Sequence, residues 1–266
     1  MPKATGPIVH SGAPSGAPVL VLVHGVGLDH TMWDLVVDGL SEHYRIVRYD
    51  LLGHGQTIDP PGQRTIEDFV DQLLSVIDSL DEPPIVAGLS LGGLVAMAAA
   101  ARYPDRFAAV AALNTVFGAT DEMRAAARQR LAITEELGLE PIAALAIDRW
   151  FTSDWQTANP AVVDVVRTRL TTTDLDGYLK AYRVFVTGDP LMPEAAADIT
   201  CPVFAMTGSN DPGSTPAMTE AIAAAVPNGR AKILDGLHHV PPIEDPDRFS
   251  NALTEGLFSC TERVTT

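Results

Sequence analysis

The segment Gly88-Leu89-Ser90-Leu91-Gly92 places a serine at the centre of a Gly-x-Ser-x-Gly pattern, after an apolar run and before a stretch of small residues. In a strand–turn–helix setting this spacing makes a sharp turn with the hydroxyl at its tip, and the residues two before and two after must be small because strand and helix pass closely. Gly88 and Gly92 meet that need, and Gly93 extends it. A serine hydroxyl is a weak nucleophile near neutral pH; it needs a base within hydrogen-bond reach, and the base needs a partner that sets its tautomer. Two histidines, His238 and His239, follow the apolar run that ends at Leu234, and either is a candidate base. Asp211 lies just past the run that starts at Val203 and is the candidate orienting acid. An oxyanion hole requires two backbone N–H groups aimed at the oxygen that gains charge. Leu91, directly after the serine, is expected to supply one, and Val26 in His24-Gly25-Val26-Gly27 the other. Such an assembly performs acyl transfer at a carboxylic ester or lactone through an acyl-enzyme.

The elements that must position these groups alternate between strand and helix, which predicts a mostly parallel sheet covered on both faces. Strands are expected at Val19–Val23, Arg45–Tyr49, 85–87, 107–113, 203–207 and 231–234. Between them, residues 65–80 carry Ile66, Phe69, Val70, Leu73, Leu74, Ile77 and Leu80 on one helical face. Residues 91–103 are rich in small apolar side chains and read as a helix packed tightly on the sheet. Residues 118–198 break the alternation. Helices are expected at Asp121–Leu137, 141–151, 160–170 and 175–186, with no convincing strand between them. This predicts a core formed by residues 1–117 and 199–266, interrupted by a helical cap at 118–198; the alternative is a plain helical extension of the core.

The chain has 266 residues, 46% of them hydrophobic and 20% charged, enough for one well-filled core. Its formal net charge of -16 argues against a nucleic-acid surface and against docking on an anionic membrane. No uncharged apolar run is long enough to span a bilayer, and residues 1–19 lack the apolar stretch of a signal peptide. Cys201 and Cys260 fit neither a metal-ligand spacing nor a disulfide framework, which fits two reduced thiols in a cytoplasmic protein. The expected partner is a small-molecule substrate, and the expected assembly a monomer or a homodimer.

Together, His24-Gly25-Val26-Gly27, Asp50-Leu51-Leu52-Gly53-His54-Gly55, Gly88 to Gly92, Gly208 to Asp211 and the run from His239 to Pro246 resemble the α/β-hydrolase superfamily along nearly the whole chain. Within it, the short core and single cap, with Met32-Trp33-Asp34 and Arg48-Tyr49-Asp50, are similar to 3-oxoadipate enol-lactonase and related carboxylesterases. The resemblance implies no metal and no organic cofactor. It also implies His239 as the base, because the run His-x-Pro-x-x-Glu-x-Pro sets the register on it. The chain departs from the pattern where His238 replaces a glycine, where Thr57 stands for a serine, and where Pro212-Gly213 stiffens the turn after Asp211.

Around this assembly, His24, Asp50 and His54 are expected to serve structure, and Glu244 to pair with a cation or cap the last helix. Trp33 and Asn114 are candidate substrate contacts, with Trp150 and Tyr182 from the cap. The cap arginines Arg124, Arg128, Arg130, Arg149, Arg167, Arg169 and Arg183 offer a carboxylate site, since guanidinium binds carboxylate bidentately. Arg149 and Arg183 stand beside aromatics and are the two singled out. Rival readings are hydrolysis of an amide or C–C bond, as in (acetamidomethylene)succinate or ring-fission-product hydrolases, and a ligand receptor on a hydrolase fold. Halide displacement and epoxide opening are disfavoured, because relatives with those activities carry aspartate where Ser90 stands.

Overall fold

In the computed structural model, which describes residues 8–188 and 192–261, continuous apolar runs become buried strands. These are β2 (Val19–Val23), β3 (Arg45–Tyr49), β4 (Ile85–Leu89), β5 (Ala109–Leu113), β6 (Val203–Gly208) and β7 (Gly229–Leu234). All six run parallel, and β1 (Val9–Ser11) adds an antiparallel edge to β3. The strand order is β1-β3-β2-β4-β5-β6-β7. Strands β2, β4, β5 and β6 are buried along their whole length, as a sheet covered on both faces requires. The parallel sheet flanked by helices is thus the one expected from the sequence. Nothing in the apolar pattern signalled β1, whose three residues are too few to carry a period.

Helix α1 (Asp34–Ser41) follows β2, and α2 (Ile66–Ile77) follows β3. A capping box starts α2: the Thr65 side chain takes the Asp68 N–H, and Asp68 accepts from the Thr65 N–H at 2.8 Å. Helix α3 (Leu91–Arg102) is buried from Leu91 to Ala100, and only its small residues allow it so close to the sheet. Between β5 and β6 come α4 (Asp121–Leu137), α5 (Glu140–Trp150), α6 (Ser153–Ala158), α7 (Pro160–Thr172), α8 (Leu175–Gly188) and the short α9 (Met192–Ala195). No strand interrupts them among the described residues. Helix α6 was not foreseen; Thr152 starts it by accepting from the Trp155 N–H. The chain then closes with α10 (Pro216–Ala225), α11 (Pro241–Glu244) and α12 (Pro246–Thr261).

Ion pairs and a close backbone contact tie the inserted helices to the core. Lys180 of α8 meets Asp59 at 2.5 Å, and Arg169 of α7 meets Asp29 at 3.3 Å. Gly53 and Gly177 approach so closely that a side chain on either would strike the other's backbone. No helix among the described residues is long and apolar enough to cross a membrane. Cys201 is buried as a free thiol; the expectations for residues 1–7 and for the Cys260 side chain lie outside what is described.

Candidate active site

Ser90 forms the turn between β4 and α3 with φ 57° and ψ -115°, a conformation that costs a side-chain-bearing residue about 1–3 kcal/mol. Its backbone N–H is held by the Leu113 carbonyl of β5 at 2.9 Å. A Cβ on Gly88 would collide with the Gly92 backbone, and one on Gly92 with the Val23 carbonyl, so the glycine spacing read from the sequence is a packing requirement. Leu91 occupies the first helical position, where an N–H has no intrahelical acceptor.

Asn114, at the end of the next strand, is the other non-glycine residue with positive φ among the described residues, at 45°. Its side chain settles its role. The amide nitrogen lies 2.9 Å from Asp211 Oδ2, 3.0 Å from Thr207 Oγ1 and 3.1 Å from the His238 carbonyl. Asp211 is a fully engaged carboxylate. Its Oδ2 also accepts from His239 Nδ1 at 2.7 Å, and its Oδ1 accepts the backbone N–H groups of Gly213 at 2.8 Å and Ser214 at 3.0 Å. Burial opposes ionisation of Asp211, but His239, the Asn114 amide and the Gly213 N–H outweigh it and hold the carboxyl below its ordinary range. The Pro212-Gly213 turn therefore anchors the acid instead of displacing it. His239 is buried, and Trp150 of α5 stacks against it with ring centroids 6.4 Å apart. Ser90 and His239 line the same cavity.

The loop after β2 is fixed by two neutral histidines. The Leu51 N–H donates to His24 Nε2 at 2.9 Å, and the Gly27 N–H to His54 Nε2 at 3.0 Å. Their Nδ1 atoms therefore carry the protons and donate to the carbonyls of Gly25 and Leu52. Burial holds both rings below the ordinary histidine range, and for His54, pushed down to about 4, the neighbouring His24 adds to it. The Gly27 N–H is taken by His54 and the Leu28 N–H by Gly25, while Val26 lines the cavity beside Ser90. Asp50, also assigned to structure, accepts from the N–H groups of His30 and Gln56 at the glycine turn.

The cavity, about 50 Å³, is closed by the inserted helices: Arg149 and Trp150 from α5, Tyr178, Tyr182 and Phe185 from α8, and Arg130 from α4. Arg149, Trp150 and Tyr182 are therefore brought to the cavity that holds Ser90. Three expected substrate contacts are corrected. Trp33 is fully buried with its ring 6.1 Å from Phe249, because apolar bulk there fills the joint with α12. Asn114 is fully buried and spends its amide on Asp211 and its neighbours. Arg183, one residue and about 100° of helical turn beyond Tyr182, pairs with Glu135 at 2.5 Å instead of facing the cavity. Among the described residues Glu244 neither pairs with a cation nor caps the last helix. Its two oxygens accept the N–H groups of Thr152 at 2.9 Å and His238 at 2.7 Å, joining the start of α6 to the histidine loop.

Arg130 was not singled out, yet its Nε donates to Tyr182 Oη at 2.9 Å on the cavity wall. The signal was present: Arg130 falls three residues after buried Ala127 and four before buried Thr134, on the inward face of α4. Burial, then Arg130, push the Arg149 guanidinium below its ordinary value. Among the described residues, neither arginine has an ion-pair partner.

Residues 20–252 match the alpha/beta hydrolase family. The chain is 30% identical to (E)-2-((N-methylformamido)methylene)succinate hydrolase of Acinetobacter baylyi over 88% of each chain. It is similar in structure to the enol-lactonase from Burkholderia xenovorans LB400, with a TM-score of 0.86 and 31% identity over 95% of this chain and 96% of that one. A thermophilic esterase from Thermogutta terrifontis with malate bound matches with a TM-score of 0.83 and 28% identity, over 96% and 94%. The sequence match, the strand order and the serine turn agree, and the chain belongs to the alpha/beta hydrolase family.

Proposed function

We propose that this hydrolase cleaves a small carboxylic ester or lactone bearing a carboxylate, with Ser90 as nucleophile, His239 as general base and Asp211 as its orienting acid. The observation that carries this reading is the strained Ser90 turn sharing one cavity with His239, whose Nδ1 is bound to a buried carboxylate at 2.7 Å. Because Nδ1 is engaged, Nε2 is the nitrogen available to the serine. Ser90 Oγ attacks the carbonyl carbon as its proton passes to His239 Nε2. The oxyanion is held by the Val26 and Leu91 N–H groups, which need no rearrangement at the moment of reaction. Collapse expels the leaving oxygen, protonated by His239; in a lactone that oxygen stays tethered to the acyl group. Water then attacks the acyl-enzyme with His239 again as base, releasing the acid and free Ser90.

The carboxylate preference rests on Arg130 and Arg149, two cations that form no ion pair among the described residues and border the cavity that holds Ser90. It is supported by two similar proteins, one named for a substituted succinate and one holding malate. In this reading residues 118–198 act as a cap that excludes water and supplies specificity, and the chain works in the cytoplasm. The first of those similar proteins also favours a second reading, cleavage of an amide-like bond by the same groups. The test is turnover of p-nitrophenyl acetate, p-nitrophenyl butyrate, a simple lactone, an acidic enol-lactone and an N-acylated aminomethylene succinate, by wild type and Ser90→Ala. Wild-type turnover of esters or lactones that falls by at least about 10³ in Ser90→Ala supports the proposal. Turnover of the amide alone transfers the assignment to the second reading, and turnover undiminished in Ser90→Ala removes the serine mechanism.

A further inference from the structure

The wall made by Arg130, Arg149, Phe185 and Gly213 has two sides. On one lies the cavity that contains Ser90 and His239. On the other lies a larger cavity of about 220 Å³, lined by Val116, Met123, Ala126, Ala127 and Val186, with Arg124, paired to Asp121, at its side. The four wall residues border both. The inner space, about 50 Å³ against about 220 Å³, has less room for ligand groups beyond the reacting carbonyl. The outer space has room for several methylene groups, and aliphatic side chains dominate its lining. The two differ in what they offer a ligand. The inner one offers Ser90, His239 and backbone N–H groups. The wall offers guanidinium, and the outer one offers apolar surface.

Among the described residues neither guanidinium forms an ion pair, and Asp211, the carboxylate that acts on Arg149 from a distance, is already spent on His239 and Asn114, so a ligand carboxylate would offset the remaining desolvation cost through bidentate hydrogen bonds. A ligand anchored there projects whatever else it carries into the outer cavity. We propose that the outer cavity is a second subsite, and that the substrate is an amphiphilic carboxylate. Its scissile carbonyl lies at Ser90, its carboxylate at Arg130 and Arg149, and an aliphatic branch beyond Phe185 among Met123, Ala126 and Val186. The proposal rests on the reading of the arginine pair as a carboxylate site. A small unbranched dicarboxylate derivative would leave the outer subsite unfilled.

Binding tests this without relying on turnover. Butanoate, hexanoate and octanoate, with the matching 1-alcohols, are titrated by calorimetry into the full chain as wild type, Ala126→Phe and Met123→Ala, each first shown folded by thermal melting. In wild type the dissociation constant of the carboxylates is expected to fall with length, by up to about fourfold per methylene, and the alcohols to bind at least tenfold more weakly. Ala126→Phe, which narrows only the outer cavity, should flatten the length dependence and leave butanoate within about twofold. Met123→Ala, which widens it, should extend the dependence to octanoate and beyond. A length dependence identical in all three proteins overturns the second subsite while leaving the arginine reading intact. Equal binding of alcohols and carboxylates overturns the arginine reading, and the substrate class with it.

Discussion

The two halves of the cavity are held by different forces. The half built from strand ends is a closed hydrogen-bond system: Asp211 accepts from a histidine, an amide side chain and two backbone N–H groups, and the loop of Gly25 to Gly27 is held by His24 and His54. The half built from α4, α5 and α8 is aromatic and cationic, and among the described residues a single hydrogen bond, from Arg130 to Tyr182, joins its polar side chains across the cavity wall. A bond network of the first kind tolerates no displacement, whereas apolar packing admits change of size and shape at moderate cost. Under the proposed function, chemistry therefore belongs with the sheet, and choice of substrate with the inserted helices.

The largest expected effect would break the sheet half outright. His239→Ala should lower kcat on an ester by about 10⁴ or more, while His238→Ala, whose ring is not bound to Asp211, should lower it by less than tenfold. Equal losses in the two variants would erase the distinction between them. Next comes the helical half: Arg149→Gln should raise KM for an anionic ester by about 10- to 100-fold, the size of a charge-assisted hydrogen-bond pair. It should leave kcat for a neutral ester within twofold, and a matching loss on the neutral ester would end the division of labour.

Acid sharpens the comparison. His54 is held neutral at about 4 against an ordinary 6.5. The unfolded chain thus binds the extra proton in the interval between those values, and the fold does not. The contribution of His54 to stability is complete above about pH 6.5, is lost as pH falls towards 4, and levels off below that; it corresponds to at most about 3 kcal/mol. Thermal melts across this range should show the decline, and His54→Gln should flatten it.

Smaller effects should come from the supports. Asn114→Gly accepts the 45° φ while removing the amide, and should lower kcat by about tenfold, the value of one hydrogen bond to a charged group. Asn114→Ala should do the same and cost about 1 kcal/mol more stability through backbone strain, read from denaturant midpoints. Glu244→Gln joins the start of α6 to the histidine loop less well, since one of its two N–H donors then faces an amide NH₂. A loss of about 1–2 kcal/mol in stability is expected.

How far the site could be read ahead of the structure depended on whether a residue's role was local. The serine turn, the strand run from Val203 and the small-residue helix after Ser90 are local features, set by glycine spacing and apolar content over about ten residues. The helices at 121–137 and 160–170 were legible for the same reason. Arg183 and Arg149 had equivalent neighbourhoods in sequence, each beside an aromatic, and opposite outcomes in space. Trp33 stood next to the right loop and turned into the core.

The amino-acid sequence by itself determined the fold, the order of Ser90, Asp211 and His239, and the glycines that let the chain cross over itself, because each follows from short-range sterics and hydrophobic period. Only the tertiary structure decided that Asn114 holds Asp211, that Glu244 links α6 to the histidine loop, and that Arg130 joins Arg149 over the cavity. These pairs are separated by 97, 92 and 19 residues, and nothing in a linear pattern states which distant groups will share a hydrogen bond or a wall once the apolar faces have packed.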